Sequence, residues 1–589
     1  MNCSAVICRI NISHFLTFYS AKTELFIAEL KAVYENLCVT VIPVPFSRDE
    51  MYQVNDIFVE CKLDFLIQSR QPRINEEWQP LESYREILTN SQLNSNRYII
   101  EGDSGYGKTT LAIKMVDDWK NGSEESFFGK VKIIILIRLV QIGKTHSIFK
   151  AIKQFLLPHQ SKLNIEDIQS VLRCNESVII ILDGFEEYLG KNDSTDVMRI
   201  IKAEMLEHVK VILTTRQFYL PTNMPPQTKR IRLNGFDKGT RNSYIEKVFS
   251  SDDINPSGDI KQKVKENHAL EDLFQIPLFF VLFTHLSHDR RNITIFGSAT
   301  SFFKHIISLF HNHTRNKIRT ETLSKCKSYE KEHYKLDKLA FEVLNGTRDI
   351  LWEKENICDE LGCGFYDHYV NTGILVEQEV YFLNGSSNFA KTSSKILVRF
   401  CQRLFYEWYA AHHLSNLAIV QGRRLDPRHG NGQSNRNRPL GHSTDAETLK
   451  NVDPFDFQYV YRFASALNPT GAKHIYQYLS SVMGGDRFTK VCQLELQENF
   501  DQVITDVETL CSDGIVITKR HSNLGQRSTI QLLETASRHG VSFFEKDLTR
   551  LELRAVRFGK DSKCSLFCLQ EKCIHFRGVQ VLQIFGYIS

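Results

Sequence analysis

The chain lacks both a membrane-spanning apolar run and a strong excess of either charge. A membrane helix needs about 18 or more consecutive apolar residues, and no run in the 589 residues reaches that length. The net charge of +4 is too small to indicate nucleic acid or a membrane surface as a partner. The first residues, MNCSAVICRINISHF, are interrupted by Arg9 and have no cleavage site of small residues, so we expect no signal peptide.

Cysteine is too sparse to build a disulfide framework. The 14 cysteines are scattered, and some lie in strand-like segments such as residues 59–63. In a chain of this length that distribution is typical of reduced thiols, and we expect a cytoplasmic protein. With 42% hydrophobic and 24% charged residues the composition is that of an ordinary globular protein, and the length predicts several domains.

The chain does contain a phosphate-binding loop between an apolar segment at residues 97–101 and an amphipathic helix at 109–119. Its G-x-x-x-x-G-K-T pattern lets backbone N–H groups point at phosphate oxygens, with the helix N-terminus adding positive potential. Lys108 would reach the β- and γ-phosphates of ATP, and the Thr109 hydroxyl would ligate Mg²⁺. We assign nucleotide binding to Gly102, Asp103, Ser104, Gly105, Tyr106, Gly107, Lys108, Thr109 and Thr110.

A second motif follows the apolar run at residues 178–182. The run ends in DGFEE, a Walker B arrangement in which Asp183 would meet Mg²⁺ at the carboxyl edge of the sheet. Glu186 and Glu187 would act in catalysis by orienting the attacking water, or would complete the metal shell. The alternative is a solvated acidic turn, but the phosphate-binding loop upstream favours the metal site.

Strands and helices alternate from residue 97 onward, which predicts a parallel sheet with helices on both faces. Apolar runs at 132–139, 178–182 and 209–215 are typical of buried parallel strands. The last run ends in Arg216, which could bind the γ-phosphate electrostatically. The alternative for Arg216 is an ordinary surface arginine after a strand.

These motifs together resemble the NACHT family of signal-transduction ATPases, which includes the NOD-like receptors of innate immunity. The resemblance rests on EGDSGYGKTTLAIKMVDDW, IIILDGFEEYL and VILTTR, and the paired acids after Asp183 distinguish this family from most other P-loop families. It continues through residues 233–249, 276–278, 396–414 and 459–482.

The resemblance implies an α/β P-loop NTPase fold followed by all-α helical and winged-helix domains. It implies that Pro277 packs on the adenine base. It also puts Gln402 where the family usually has a histidine on the β-phosphate of ADP; an amide can still donate a hydrogen bond there but cannot become cationic. The implied cofactors are ATP or ADP with Mg²⁺.

The motifs divide the chain into six regions. Residues 1–96 contain too little helix for a complete adaptor module, and 511–589 contain one L-x-x-L-x-L match that could begin a leucine-rich repeat array. The regions between are the nucleotide-binding domain at 97–235, helical domain 1 at 236–297, the winged-helix domain at 298–416, and helical domain 2 at 417–510 with a disordered loop at 421–444.

Three further clusters have simpler interpretations than a binding site. His305, His311 and His313 have no accompanying ligand frame, and we expect a solvated helix face. The arginines of 421–444 have no interleaved aromatic residues, which argues against nucleic acid. The cysteine cluster of Cys564, Cys568 and Cys573 with His575 fits no common zinc spacing, and we expect buried free thiols.

The predicted function is a nucleotide-controlled switch with slow ATP hydrolysis, self-association on activation, and an unidentified protein ligand and adaptor, acting in innate immune or cell-death signalling. Two alternatives belong to other classes. One is a remodelling ATPase with continuous turnover. The other is a nucleotide-bound regulatory scaffold that senses nothing.

Overall fold

The protein divides into two compact units. The computed structural model describes residues 20–35, 40–41, 51–67, 77–103, 105–123, 126–143, 146–191, 194–216, 219–249, 256–267, 270–289, 296–317, 328–384, 391–425, 452–499, 505–506, 515–518, 521–538, 551–554 and 582–585. The first unit comprises Met1–Lys261, Phe274–Arg291 and Gln378–Leu397. The second comprises Gln262–Leu273, Asn292–Glu377 and Val398–Ser589.

A seven-stranded sheet forms the centre of the first unit. Its strands, β1 to β7, are Leu63–Ile67, Glu77–Leu81, Arg97–Glu101, Ile133–Arg138, Val178–Asp183, Lys210–Thr215 and Lys229–Leu233, in the spatial order β2-β1-β7-β3-β6-β5-β4. The strands from β3 to β7 pair in parallel, as the apolar runs predict. They are buried almost throughout because helices cover both faces of a parallel sheet.

The sheet is larger than the sequence predicts. Strands β1 and β2 pair antiparallel with each other, and β1 pairs antiparallel with β7. Both strands precede residue 97, where the predicted nucleotide-binding domain begins. The sheet is therefore mixed, and the segment before the phosphate-binding loop contributes two of its strands.

The helices are numbered in chain order. α1 to α10 are residues 20–35, Val54–Ile57, Lys108–Asn121, Ile148–Phe155, Ile165–Cys174, Asp196–Ile201, Lys238–Phe249, Pro256–Glu266, Glu271–Phe274 and Pro277–Asp289. α11 to α19 are Ala299–Lys317, Tyr334–Leu344, Lys354–Leu361, Cys363–Thr372, Arg403–Leu425, Gln458–Leu467, Pro469–Ser480, Gly485–Gln493 and Asn523–Arg538.

Local sequence explains where the helices of the first unit begin and end. Asn164 caps α5 in a capping box, in which its side chain accepts from the Asp167 N–H while the Asp167 carboxylate accepts from the Asn164 N–H. α3 begins after Gly107 and ends at Gly122, and both glycines are in the left-handed region. The helix that follows the phosphate-binding loop is thus defined by glycine at both ends.

Helix α1 covers the exposed edge of the sheet at β4. The Tyr34 hydroxyl accepts a hydrogen bond of 2.7 Å from the backbone N–H of Leu136 and lies 3.4 Å from the carbonyl of Ile134. The Tyr34 ring meets Trp119 of α3 edge-on. A residue of the first helix therefore occupies hydrogen-bonding groups that an edge strand would otherwise expose.

The second unit is mainly helical. One three-stranded sheet consists of β8 (Trp352–Glu353), β9 (Leu375–Asn384) and β10 (Lys391–Phe400), and Gln378–Leu397 of this segment belongs to the first unit. The second unit contains a further three-stranded sheet of parallel strands β11 (Ile515–Thr518), β12 (Leu551–Arg554) and β13 (Leu582–Phe585). Leu551 and Leu553 of the repeat-like sequence lie on β12. The winged-helix domain and the leucine-rich repeats stay predictions.

A buried ion pair and its neighbours link four segments of the second unit. One carboxylate oxygen of Glu495 accepts from Arg462 at 2.6 Å, and the other accepts from the Thr300 hydroxyl at 2.9 Å. The second guanidinium nitrogen of Arg462 lies 3.6 Å from Asp272. Because Arg462 and Glu495 are both buried, each depends on the other for charge compensation.

Two expectations about this unit are wrong. His311 does not lie on a solvated face, because it is buried and its Nδ1 lies 2.8 Å from Nε2 of His368. His305 is partly buried, and the His313 side chain lies outside the described residues. Residues 421–425 of the predicted loop are the end of α15, and the rest of that loop and the cysteine cluster lie outside the described residues.

Candidate functional site

The phosphate-binding loop connects the end of β3 to the start of α3. The Gly102 N–H donates to the Thr215 carbonyl at 3.1 Å, which fixes the start of the loop on the neighbouring strand β6. The loop then turns through Gly105 and Gly107, with φ of 83° and 85°, a region that side-chain-bearing residues rarely adopt. Ser104 lies outside the described residues, and Thr110 is partly exposed in the first turn of α3.

Lys108 turns back over the loop from the first position of α3. Its Nζ donates to the carbonyls of Gly102 at 2.7 Å and Asp103 at 3.2 Å, and lies 3.7 Å from Oε1 of Glu186. Burial lowers the pKa of Lys108 from its ordinary value, and the charge of Glu186 opposes that shift. The ammonium therefore lies inside the loop, next to the backbone that would surround a phosphate group.

Asp183 is held at the carboxyl end of β5 by two threonines. Its Oδ2 accepts from the Thr109 hydroxyl at 2.8 Å, and its Oδ1 accepts from the Thr214 hydroxyl at 2.6 Å. Thr214 in turn accepts from the Gly184 N–H at 2.9 Å. Asp183 is buried and Thr109 is exposed, so the pair presents oxygen atoms at the surface of the crevice. Hydroxyl and carboxylate oxygens are the donors that Mg²⁺ prefers, and these two fit it.

Glu186 bridges two cations of the site. It lies in the 3₁₀ turn Phe185–Glu187 after β5, and its side chain is 6% exposed. Its Oε1 lies 3.2 Å from Nε of Arg216 as well as near Lys108. Its Oε2 is buried and has no hydrogen-bond partner among the described residues. The neighbouring Glu187 is partly exposed and donates its N–H to the Gly184 carbonyl at 3.0 Å.

Lys191 is a third cation that the sequence analysis missed. Its Nζ donates to the backbone carbonyl of Glu186 and lies 5.3 Å from the centre of the Tyr219 ring. Burial lowers its pKa, and the charges of Glu186 and Glu187 oppose that shift. The acidic turn is thus held by a hydrogen bond to its backbone. No motif marks Lys191, because a lysine shortly after a turn is usually a solvated residue.

The segment with Pro277 lies beside the phosphate-binding loop. Pro277 is buried at the start of α10, and the next N–H, of Leu278, donates to the Gly105 carbonyl at 3.2 Å. Gln275, two residues before Pro277, also packs closely against Gly235. A Cβ at Gly235 would lie only 2.0 Å from the Gln275 carbonyl oxygen, so glycine is required there. The structure therefore brings Pro277 to the loop, while its contact with adenine stays a prediction.

Gln402 lies in the second unit, between β10 and α15. Its carbonyl accepts from the Phe405 N–H at 3.2 Å in the first turn of that helix. The predicted contact of its side chain with a β-phosphate is a prediction that the geometry of either unit does not test.

The chain is similar to several known proteins. The NACHT domain family matches residues 96–252. NACHT, LRR and PYD domains-containing protein 10 from Homo sapiens is 26% identical over 204 residues, which are 30% of this chain and 28% of that protein. NLR family CARD domain-containing protein 4 from Bos taurus is 22% identical over 335 residues, 57% of this chain and 30% of that protein. The chain thus spans less than a third of the length of these relatives.

Among solved structures, the chain is similar to a signal transduction ATPase with numerous domains and a tetratricopeptide repeat sensor, from Pyrococcus horikoshii. The two are 13% identical, with a TM-score of 0.24 over 83% of this chain and 64% of the other, and a score this low supports no argument. Among the residues that the structure describes, none of the helices combines the length and the apolar character that crossing a bilayer requires.

Proposed function

Because residues 96–252 match the NACHT domain family and the similar proteins include members of the NLR family, we propose that the chain is a conformational switch controlled by ATP and ADP. One observation carries the proposal. The Thr109 hydroxyl and the Asp183 carboxylate, from motifs 74 residues apart, meet at 2.8 Å at the carboxyl edge of the sheet. Ligands of open α/β sheets bind at that edge.

In the proposed site the loop from Gly102 to Gly107 surrounds the phosphates with backbone N–H groups, and Lys108 neutralises the β- and γ-phosphates. Thr109 and Asp183 hold Mg²⁺, which would neutralise phosphate charge. Arg216 lies close enough to Lys108, through Glu186, to interact with the terminal phosphate. Glu187, or Glu186, orients the water that attacks it.

In this proposal hydrolysis resets the protein. ATP and ADP differ by one phosphate group, so a conformation that contacts that group is favoured by ATP alone. Exchange of ADP for ATP would expose a self-association surface, and slow hydrolysis would bury it again. The proposed setting is cytoplasmic, in innate immune or cell-death signalling, with an unidentified protein ligand and adaptor.

The variant Lys108→Ala tests the site. It removes the ammonium but leaves the glycines of the loop. We expect the variant to lose nucleotide binding, measured by equilibrium titration with a fluorescent ATP analogue. Circular dichroism of the variant controls for folding. If the folded variant retains Mg-ATP as tightly as the wild type, the assignment of the site is wrong.

Two measurements separate the switch from the other functional classes. A remodelling ATPase would hydrolyse ATP continuously and be stimulated by a substrate, so its steady-state rate would be high. A nucleotide-bound scaffold would have the same molecular mass in solution with ATP as with ADP. The switch predicts slow turnover together with a larger mass by light scattering in ATP than in ADP.

A further inference from the structure

The carboxylate of Glu186 lies where the two phosphate-directed cations of the site converge. Its Oε1 is 3.7 Å from Nζ of Lys108 and 3.2 Å from Nε of Arg216. The side chains of Glu186, Lys108 and Arg216 are 6%, 10% and 13% exposed, respectively, so water screens these interactions only weakly. Both cations are therefore already compensated by one negative charge of the protein itself.

The carboxylate is poorly fixed apart from these two contacts. Its Oε2 is buried and has no hydrogen-bond partner among the described residues. Its backbone, in contrast, is held by the hydrogen bond from Lys191 to the Glu186 carbonyl. The side chain can therefore rotate away from the cations without breaking another hydrogen bond in the described residues and without moving the turn.

Glu186 and a terminal phosphate would compete for the same two cations. The negative charges of Glu186, Asp103 and Asp183 attract the Lys108 ammonium, and the positive charge of Arg216 repels it. A terminal phosphate that approaches Lys108 and Arg216 meets the Glu186 carboxylate at the same point. Since two anions cannot share one pair of cations without strong repulsion, one must displace the other.

We propose that Glu186 is a specificity-determining residue that competes with the γ-phosphate for Lys108 and Arg216, and so reduces the preference for ATP over ADP. This inference rests on the proposed function. ADP ends at the β-phosphate, which contacts Lys108 alone in the proposed site, whereas ATP must displace Glu186 from both cations. Glu186 therefore weakens ATP binding more than ADP binding.

The test compares Glu186→Gln with Glu187→Gln in the full chain. Both variants replace a carboxylate by an amide of the same shape in the same turn, and it is the Glu186 carboxylate that lies 3.7 Å from Lys108 and 3.2 Å from Arg216. Affinities for ADP and for a non-hydrolysable ATP analogue, both with Mg²⁺, are measured by isothermal titration calorimetry. If Glu186→Gln is unstable by thermal denaturation, Glu186→Ala replaces it, because the proposal predicts the same direction.

We expect Glu186→Gln to bind the ATP analogue about tenfold or more tightly than the wild type, and ADP at most about threefold more tightly. Glu187→Gln should change neither affinity by more than about threefold. A gain below about tenfold for the ATP analogue, an equal gain for ADP, or the same gain in Glu187→Gln overturns the inference alone. A wild-type protein that binds neither nucleotide overturns the proposed function as well.

Discussion

Thr214 holds the Asp183 carboxylate, which we propose binds Mg²⁺, and replacing Thr214 by valine should uncouple Mg²⁺ from nucleotide binding. Its hydroxyl donates to Asp183 at 2.6 Å and accepts from the Gly184 N–H at 2.9 Å, and the residue is 1% exposed. Valine keeps the shape but loses both bonds. A hydrogen bond to a charged group contributes about 1.5–3 kcal/mol, and a buried N–H left unpaired costs about 1–3 kcal/mol. The two contributions together predict that the free energy of unfolding falls by about 2.5–6 kcal/mol.

Thr214→Val should also weaken Mg²⁺ binding. Residues that orient a metal ligand typically contribute about 10–100-fold to metal affinity. We therefore expect the Mg²⁺ concentration needed for half-maximal binding of a fluorescent ATP analogue to rise about 10–100-fold. Binding measured in excess chelator should change little, since Lys108 and the loop amides are untouched.

Thr215→Val is the matched control for that experiment. Thr215 is the adjacent residue of β6 and equally buried, but its hydroxyl donates to the Tyr219 carbonyl at 3.0 Å and not to Asp183. It should lower stability and leave the Mg²⁺ dependence unchanged. If both variants shift the Mg²⁺ dependence alike, or neither does, our account of the Asp183 geometry is wrong.

Three other predictions concern separate parts of the chain. Glu495→Ala leaves Arg462 buried without its main partner and should lower the free energy of unfolding, measured in urea, by about 3–5 kcal/mol. The control Glu360→Ala removes an exposed ion pair and should lower it by at most about 1 kcal/mol. Equal losses in the two variants would contradict this prediction. Burial lowers the pKa of His285 to about 4. Because the unfolded imidazole has a pKa near 6.5, the unfolded chain alone binds this proton below that pH, and stability should fall by about 1.4 kcal/mol per pH unit from pH ~6.5 to ~4. His285→Gln should remove that part of the slope, and an unchanged slope would refute the assignment. Glu187→Gln should bind ATP but hydrolyse it slowly, and unchanged turnover would assign that role to Glu186.

The sequence predicted the parallel part of the sheet because its strands are buried on both faces and therefore read as apolar runs. The runs at 132–139, 178–182 and 209–215 correspond to β4, β5 and β6 within one or two residues. Strands β1 and β2 were less visible. β2 contains Pro80, and β1 pairs antiparallel with β7, which is distant in the chain, so the local sequence does not show that these strands join the sheet.

The motif residues of the site were predictable because phosphate and Mg²⁺ chemistry restricts the residue types and their spacing. The structure brings Lys108, Thr109, Asp183 and Arg216 to one edge of the sheet. Thr214 and Lys191 could not be predicted, since each acts through hydrogen bonds to a neighbouring strand or turn. A threonine in a strand gives no sign of which hydroxyl supports the metal ligand.

Buried histidines show a further limit of sequence reasoning. His311 lies on an amphipathic helix, where its polarity suggested contact with water. In the structure its Nδ1 lies 2.8 Å from Nε2 of His368, and this pairing permits burial. The partner lies on another helix, so helical periodicity alone could not show it.

The hydrogen bond from Leu136 to Tyr34 affects how the nucleotide-binding unit can be isolated. Cutting the chain at residue 97, as the motifs suggest, would remove α1 together with β1 and β2. The remaining sheet would then expose unpaired backbone amides and carbonyls of β4 along one side and of β7 along the other. Such margins recruit strands from other molecules, so the shortened fragment should precipitate at concentrations at which the longer protein stays in solution.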